Sequence, residues 1–140
     1  MRPDNDTWAL EIAQTVSERS TCSRLHVGAI LVKHGIVLGA GYNGAPRKMA
    51  HCVHTDDTPC RLSIHAEINA LVHSGLWNSQ GAVMYITHAP CWDCAKMIVQ
   101  HQISKVVFRE VYRNREGLDM LDLAGVQWEQ KRNTPMEGTK

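Results

Sequence analysis

Apolar residues recur every four positions near the start of the chain. Trp8, Ile12 and Val16 follow this spacing, which predicts an amphipathic helix whose apolar stripe faces a core. Asp6 or Thr7 is the expected N-cap, because short polar side chains satisfy the free N–H groups of a first turn.

Two short β-type runs follow the predicted helix. They cover residues 27–32 and 36–42, and the three residues between them, Lys-His-Gly, indicate an antiparallel hairpin. Residues 43–63 show no periodicity, so we expect a long loop that needs an organising interaction.

Helical and β-type segments then alternate to the end of the chain. A helix over 65–73 is expected to stop at Gly75. The later segments are a strand at 83–87, a helix at 91–100, a strand at 105–108, a helix at 117–124 and a strand at 126–128. This order predicts an α/β sandwich whose later strands run parallel.

Length and composition fit one globular domain. The chain has 140 residues, of which 44% are hydrophobic and 21% charged, so a disordered or fibrous protein is excluded. We expect a single domain over residues 1–128 and a loose polar tail over 129–140.

Charge and hydropathy limit the classes of molecule that the protein is expected to bind. Fifteen Lys and Arg against 14 Asp and Glu give a net charge of +1, which disfavours a nucleic-acid polymer. The N-terminal segment lacks the apolar core of a secretory signal, and no apolar run approaches the ~20 residues of a membrane helix. We therefore expect a soluble cytoplasmic protein with no membrane partner.

The five Cys and eight His are the unusual part of the composition. An odd Cys count argues against a fully paired disulfide framework and favours metal binding or catalysis. His65-Ala-Glu67 opens one predicted helix, and Pro90-Cys91-Trp-Asp-Cys94 opens another. One imidazole and two thiolates supply three of zinc's four tetrahedral positions and leave one for water. The pair of motifs matches the signature of zinc-dependent nucleobase deaminases.

The positions of these residues suggest their roles. Cys91 and Cys94 lie in a first helical turn, where free N–H groups favour thiolates. Glu67 is two residues from His65 and does not face the metal as His65 does, so we interpret it as the general acid–base. A Cys-x-x-Cys alone also occurs in redox pairs and structural zinc sites, whereas the combination favours catalysis.

Four segments together resemble deoxycytidylate (dCMP) deaminases, and the resemblance covers about residues 20–125. The segments are Cys22-Ser-Arg-Leu-His-Val-Gly-Ala, Gly41-Tyr-Asn-Gly-Ala-Pro, His65-Ala-Glu-Ile-Asn-Ala and Thr87-His-Ala-Pro-Cys-Trp-Asp-Cys-Ala-Lys. The zinc motifs alone indicate only the wider cytidine deaminase superfamily. Within that superfamily, the Gly-Tyr-Asn-Gly segment favours the deoxycytidylate deaminases.

The resemblance implies a three-layer α/β/α sandwich around a mixed sheet of about five strands. It also implies a zinc-dependent hydrolase in which a zinc-activated water converts dCMP to dUMP and ammonia, feeding thymidylate synthesis. In that family Asn43 would contact the deoxyribose 3′-hydroxyl, and the N–H of Ala66 the cytosine carbonyl. Arg24, Tyr112 and Arg113 would lie near the 5′-phosphate.

Further family properties concern assembly and regulation. Members are often homohexamers that dCTP activates and dTTP inhibits, and Mg²⁺ would accompany such a triphosphate. The resemblance places this effector site at the loop that contains Tyr42 and Gly44.

A second zinc is a separate hypothesis. Some family members hold a structural zinc in this region, and Cys22 and Cys52 match two of its ligand positions. Cys22, Cys52, His54 and Cys60 would form a closed four-ligand site that organises the long loop. His51 is an alternative to His54. Without a second zinc, these residues would be free thiols and surface histidines.

Two other functions remain open at this point. One is a tRNA or polynucleotide deaminase, which would need a basic face. The other is a zinc-stabilised nucleotide-binding module without turnover, against which an intact Glu67 argues.

Overall fold

Helices and strands alternate along the residues that the computed structural model describes, which are 1–51, 61–111 and 114–132. The elements are α1 Asn5–Ser17, β1 Gly28–Lys33, β2 Ile36–Tyr42, α2 Ala66–Ser74, α3 Leu76–Ser79, β3 Val83–His88, α4 Trp92–Gln100, β4 Lys105–Glu110, α5 Glu116–Ala124 and β5 Gln127–Gln130. All of them except the four-residue α3, which is too short to show a period, correspond to predicted segments.

One mixed sheet has the strand order β2-β1-β3-β4-β5. Strand β1 pairs antiparallel with both β2 and β3, whereas β3–β4 and β4–β5 are parallel. The predicted hairpin and the predicted parallel later strands are therefore confirmed.

Apolar residues pack on both faces of this sheet. On one face α1 buries Ala9, Leu10 and Ala13 against strand residues such as Ile30 and Val107. On the other face α2, α4 and α5 cover a larger core built from the alternate strand residues. The three-layer α/β/α sandwich is confirmed.

Helix α1 begins earlier than the pattern predicted. Asp4 is the N-cap, and its Oδ1 accepts a hydrogen bond from the N–H of Thr7 at 2.8 Å. The prediction of Asp6 or Thr7 as the cap was wrong, because the side chain of Asp6 is engaged in tertiary contacts. It accepts a hydrogen bond from the Tyr85 hydroxyl at 2.7 Å and lies 2.8 Å from Nζ of Lys131.

The last strand extends two residues beyond the predicted domain end at 128. Glu129 and Gln130 belong to β5, so the expected tail does not begin at Glu129. Glu129 is held by Lys105 of the neighbouring strand, with 3.0 Å between Oε1 and Nζ. Residues 133–140 of the expected tail lie outside the described residues.

None of the described helices combines the length and the hydrophobicity that a membrane crossing requires. The cytoplasmic location stays a prediction.

Helix α5 lies directly on the segment that leads into α4. A Cβ atom added to Gly117 would be 1.8 Å from the carbonyl oxygen of Pro90 and 2.9 Å from that of Cys91. Both neighbours are backbone atoms, so the two segments must move apart if the residue at 117 has any side chain.

We predict that Gly117→Ala lowers the stability by about 1–3 kcal/mol, because it forces this contact open. In thermal unfolding at fixed zinc concentration, that loss corresponds to a midpoint lower by about 3–10 °C. Gly125→Asn is the control, since Gly125 has φ +75° with no atom within 4 Å of an added Cβ, and Asn tolerates this conformation. An unchanged midpoint for Gly117→Ala would contradict the close contact.

Candidate metal centre and active site

Two helix N-termini meet at one edge of the sheet. His65 is the N-cap of α2, and Cys91 is the N-cap of α4, with Cys94 in the first turn of that helix. The imidazole Nδ1 of His65 lies 3.2 Å from Sγ of Cys94 and 3.5 Å from Sγ of Cys91. The structure therefore brings together the three residues that the sequence predicts as zinc ligands.

The spacing of these three atoms suits a tetrahedral zinc ion. They all lie within 4.8 Å of one another. With zinc about 2.3 Å from sulfur and about 2.0–2.1 Å from nitrogen, a tetrahedral angle separates the nitrogen and each sulfur by about 3.6 Å. The observed separations are within a few tenths of an ångström of this value, so small shifts of the side chains are enough for the donor set to hold the metal.

The same three groups shift each other's pKa values. Hydrogen bonds from Cys94, and then from His65, lower the pKa of Cys91 to about 4. The hydrogen bond to Cys91 raises the pKa of His65 to about 9. The pKa of Cys94 is raised, because its thiol donates to Cys91 and because it is buried. One thiolate thus forms readily, and a cation that replaces the shared protons would stabilise both sulfurs as thiolates.

Glu67 is a buried carboxyl group beside these ligands. It follows His65 by two residues on α2 and is only 4% exposed. Burial raises its pKa from 4.5 to about 7, which brings both protonation states within reach near neutral pH. A carboxyl group with this property is suited to accept and return a proton.

A cavity of about 240 Å³ is lined by Glu67 and by two of the predicted ligands, His65 and Cys91. Among the predicted substrate contacts, Arg24, Asn43 and Ala66 line it. Its volume is slightly below the ~300–1,000 Å³ that is typical of small-molecule sites.

The cavity is also lined by three polar residues that were not predicted from the sequence: His88, Asn114 and Glu116. His88 ends β3, where its Nδ1 lies 2.8 Å from Oγ1 of Thr87, and burial lowers its pKa. His88 lies two residues before Pro90 of the Pro-Cys-x-x-Cys motif, so it could have been predicted from the sequence as a residue near the site. Asn114 and Glu116 could not, because β4 and α5 bring them to the site.

Asn114 and Glu116 form the entry to α5. The side-chain oxygen of Asn114 accepts a hydrogen bond from the N–H of Glu116 at 2.9 Å. This bond satisfies one of the free donors at the start of the helix and holds both residues at the wall of the cavity.

The predicted effector residues lie elsewhere. Tyr42 is exposed at the end of β2, and its carbonyl accepts a hydrogen bond from Asn69 at 2.9 Å. Gly44 is buried and pairs with Ile64 through two backbone hydrogen bonds. Neither residue lines the cavity.

Several predicted site residues fall outside the described part of the chain. These are Cys52, His54 and Cys60 of the second zinc site, and Tyr112 and Arg113 of the phosphate site. Cys22, the remaining ligand of the second zinc hypothesis, is 1% exposed. His51 is exposed.

Comparison with known proteins identifies the family of this chain. The model of the cytidine and deoxycytidylate deaminase zinc-binding region matches residues 3–110. A deoxycytidylate deaminase of Mycobacterium phage D29 is 38% identical over 125 residues, which are 76% of this chain and 95% of that protein.

A longer relative is the deoxycytidylate deaminase of Saccharomyces cerevisiae. It is 34% identical over 138 residues, covering 90% of this chain. The chain spans only 44% of the length of that yeast protein.

A solved structure also resembles the fold. The dCMP deaminase of cyanophage S-TIM5, crystallised in complex with dCMP and dUMP, superposes with a TM-score of 0.84 at 37% identity. The match covers 94% of this chain and 99% of the phage chain. With a family model matched over most of its length and relatives above 30% identity, this chain belongs to the family of cytidine and deoxycytidylate deaminases with a zinc-binding region.

Proposed function

We propose that this protein converts dCMP to dUMP and ammonia by zinc-dependent hydrolysis. The observation that carries the proposal is a group of three metal donors beside the buried Glu67, at the wall of one small cavity that His65, Cys91 and Glu67 line. The phage relative crystallised with dCMP and dUMP supports this choice of substrate.

His65, Cys91 and Cys94 would hold the zinc. When bound there, zinc is a Lewis acid that lowers the pKa of a water molecule to about 7. The sequence motif and the observed separations both support this ligand set.

Glu67 carries the protons in this proposal. It takes one from the attacking water and delivers it to N3 of the pyrimidine as the C–O bond forms at C4. It then moves the proton of the new hydroxyl group to the amino group, so the C–N bond breaks and ammonia leaves. Its burial supports this role, because a carboxyl group whose pKa is raised to about 7 both accepts and donates near neutral pH.

The other cavity residues would bind the substrate. The N–H of Ala66 belongs to the free donors at the N-terminus of α2 and suits the pyrimidine carbonyl. Arg24 would pair with the 5′-phosphate, and Tyr112 and Arg113 are proposed for the same group. Asn43 would contact the sugar 3′-hydroxyl.

Regulation and assembly belong to the same proposal. A homohexamer that binds dCTP or dTTP with Mg²⁺ at Tyr42 and Gly44 is supported by the family resemblance. The exposed side chain of Tyr42, away from the cavity, leaves it accessible to a separate ligand.

The proposed function makes three predictions, and the first concerns the proton carrier. Glu67→Gln keeps the shape of the side chain but cannot shuttle a proton, so kcat should fall by at least about 10²-fold. Zinc content, measured by elemental analysis, should not change because Glu67 is not a ligand. Glu11→Gln, on the exposed face of α1, is the matched control. Near-normal turnover by Glu67→Gln would contradict the mechanism.

The second prediction concerns the substrate. Ammonia release should be faster with dCMP than with deoxycytidine, CMP or a short cytosine-containing oligonucleotide, because a few local groups bind one monophosphate. Adding dCTP and dTTP with Mg²⁺ tests the proposed regulation in the same assay. Preference for the oligonucleotide would favour a polynucleotide deaminase, and no turnover by zinc-loaded protein would favour a binding module.

The third prediction concerns the second zinc, which we propose at Cys22, Cys52, His54 and Cys60. The burial of Cys22 supports it, since buried thiols are common in closed zinc sites. Protein purified without added metal should contain two zinc ions per chain, and Cys22→Ser should reduce this to one while His65 and its partners keep theirs. One zinc per chain in the unmodified protein would refute the second site.

A further inference from the structure

The amide of Asn43 has only one possible orientation at the cavity wall. This side chain is 7% exposed; its Oδ1 accepts from the N–H of Val27 at 2.8 Å, and its Nδ2 donates to the carbonyl of Leu25 at 2.7 Å. Both partners are backbone groups of fixed polarity. Turning the amide over would place Nδ2 against the N–H of Val27 and Oδ1 against the carbonyl of Leu25, so both hydrogen bonds would be lost.

Ser20 makes a further contact with the same residue. Its Oγ lies 2.6 Å from Oδ1 of Asn43 and 2.8 Å from the backbone oxygen of Asn43. The N–H of Cys22 reaches the same hydroxyl oxygen at 3.3 Å. Ser20 therefore acts toward Asn43 as a donor, and its hydrogen serves two neighbouring acceptors.

These contacts use almost all of the hydrogen-bonding capacity of the amide. Val27 and Ser20 occupy the two acceptor positions of Oδ1, and Leu25 takes one of the two hydrogens of Nδ2. The second hydrogen of Nδ2 therefore remains available to a ligand. A ligand group that meets Asn43 must consequently be an acceptor.

We infer that Ser20 is a positioning residue for nucleotide recognition: by occupying Oδ1 it makes Asn43 a pure donor toward the oxygen at the 3′ position of the sugar. This inference rests on the proposed function and adds to it a residue that touches no substrate. Ser20 and Asn43 are 23 residues apart, and their contact also ties the loop that carries Arg24 to the end of β2.

The test compares two nucleotides in two proteins. Wild-type protein and Ser20→Ala are each assayed with dCMP and with 2′,3′-dideoxycytidine monophosphate, which lacks the 3′ oxygen. Ser20→Ala should lower kcat/KM for dCMP about five- to tenfold, mainly through KM, because it weakens one hydrogen bond. With the dideoxy nucleotide the two proteins should agree within about twofold.

Two further variants separate positioning from general damage. Ser20→Thr keeps the hydroxyl group and should restore most of the activity on dCMP. Ser104→Ala removes a hydroxyl that donates to the carbonyl of Ala82, away from the cavity lining, and should leave the ratio of the two substrates unchanged.

Equal losses on both nucleotides would overturn the inference, because they would indicate a purely structural role for Ser20. Equal use of both nucleotides by the wild-type protein would also overturn it, and this arm needs no variant. If the wild-type protein turns over neither nucleotide, the proposed function fails. The same comparison, made with dissociation constants from calorimetry, then still decides the role of Ser20.

Discussion

The metal site depends on two helix N-termini that meet at one edge of the sheet. An N-cap residue has an extended backbone conformation that places its side chain near the free N–H groups of the first turn, and here the caps are His65 and Cys91. The imidazole makes no capping hydrogen bond, whereas the thiol of Cys91 accepts the N–H of Cys94 at 3.4 Å. Free N–H groups and the helix dipole both favour a negatively charged sulfur at that position. Metal binding and local helix structure therefore have the same physical basis.

The close packing behind the site keeps these helix ends in register. Gly117 lets α5 rest on the backbone of Pro90 and Cys91, and Gly41 lets α2 approach β2, where an added Cβ would be 2.5 Å from the carbonyl of Ala66. The contacts are between backbone atoms, so they do not relax by a change of rotamer. Glu67, in the first turn of α2, is buried in this packed region, and the burial raises its pKa.

The sequence predicted that His65, Cys91 and Cys94 come together, because these residues belong to local motifs. His65 and Glu67 are two residues apart, Cys91 and Cys94 are three apart, and each pair opens a helix that periodicity also detects. The apolar runs of β3 and β4 likewise predicted the centre of the sheet, since most of their residues are buried.

The parts that sequence reasoning missed depend on distant contacts. Asp6 was mistaken for a cap because its partner Lys131 lies at the other end of the chain. The link from Ser20 to Asn43 spans 23 residues, and Glu116 reaches the cavity only through the position of α5. No local pattern encodes such pairings. The wall of the cavity was therefore harder to predict than its metal ligands.

The proposed zinc site has three protein ligands and a fourth position open to water. Anomalous diffraction at the zinc edge from a crystal of the zinc-loaded protein tests it most directly. A zinc ion bound here should give a peak about 2.0–2.1 Å from Nδ1 of His65 and about 2.3 Å from Sγ of Cys91 and Cys94, with a fourth ligand that is not a protein atom. A fourth protein ligand that closes the coordination shell, or no zinc at these three residues, would contradict it.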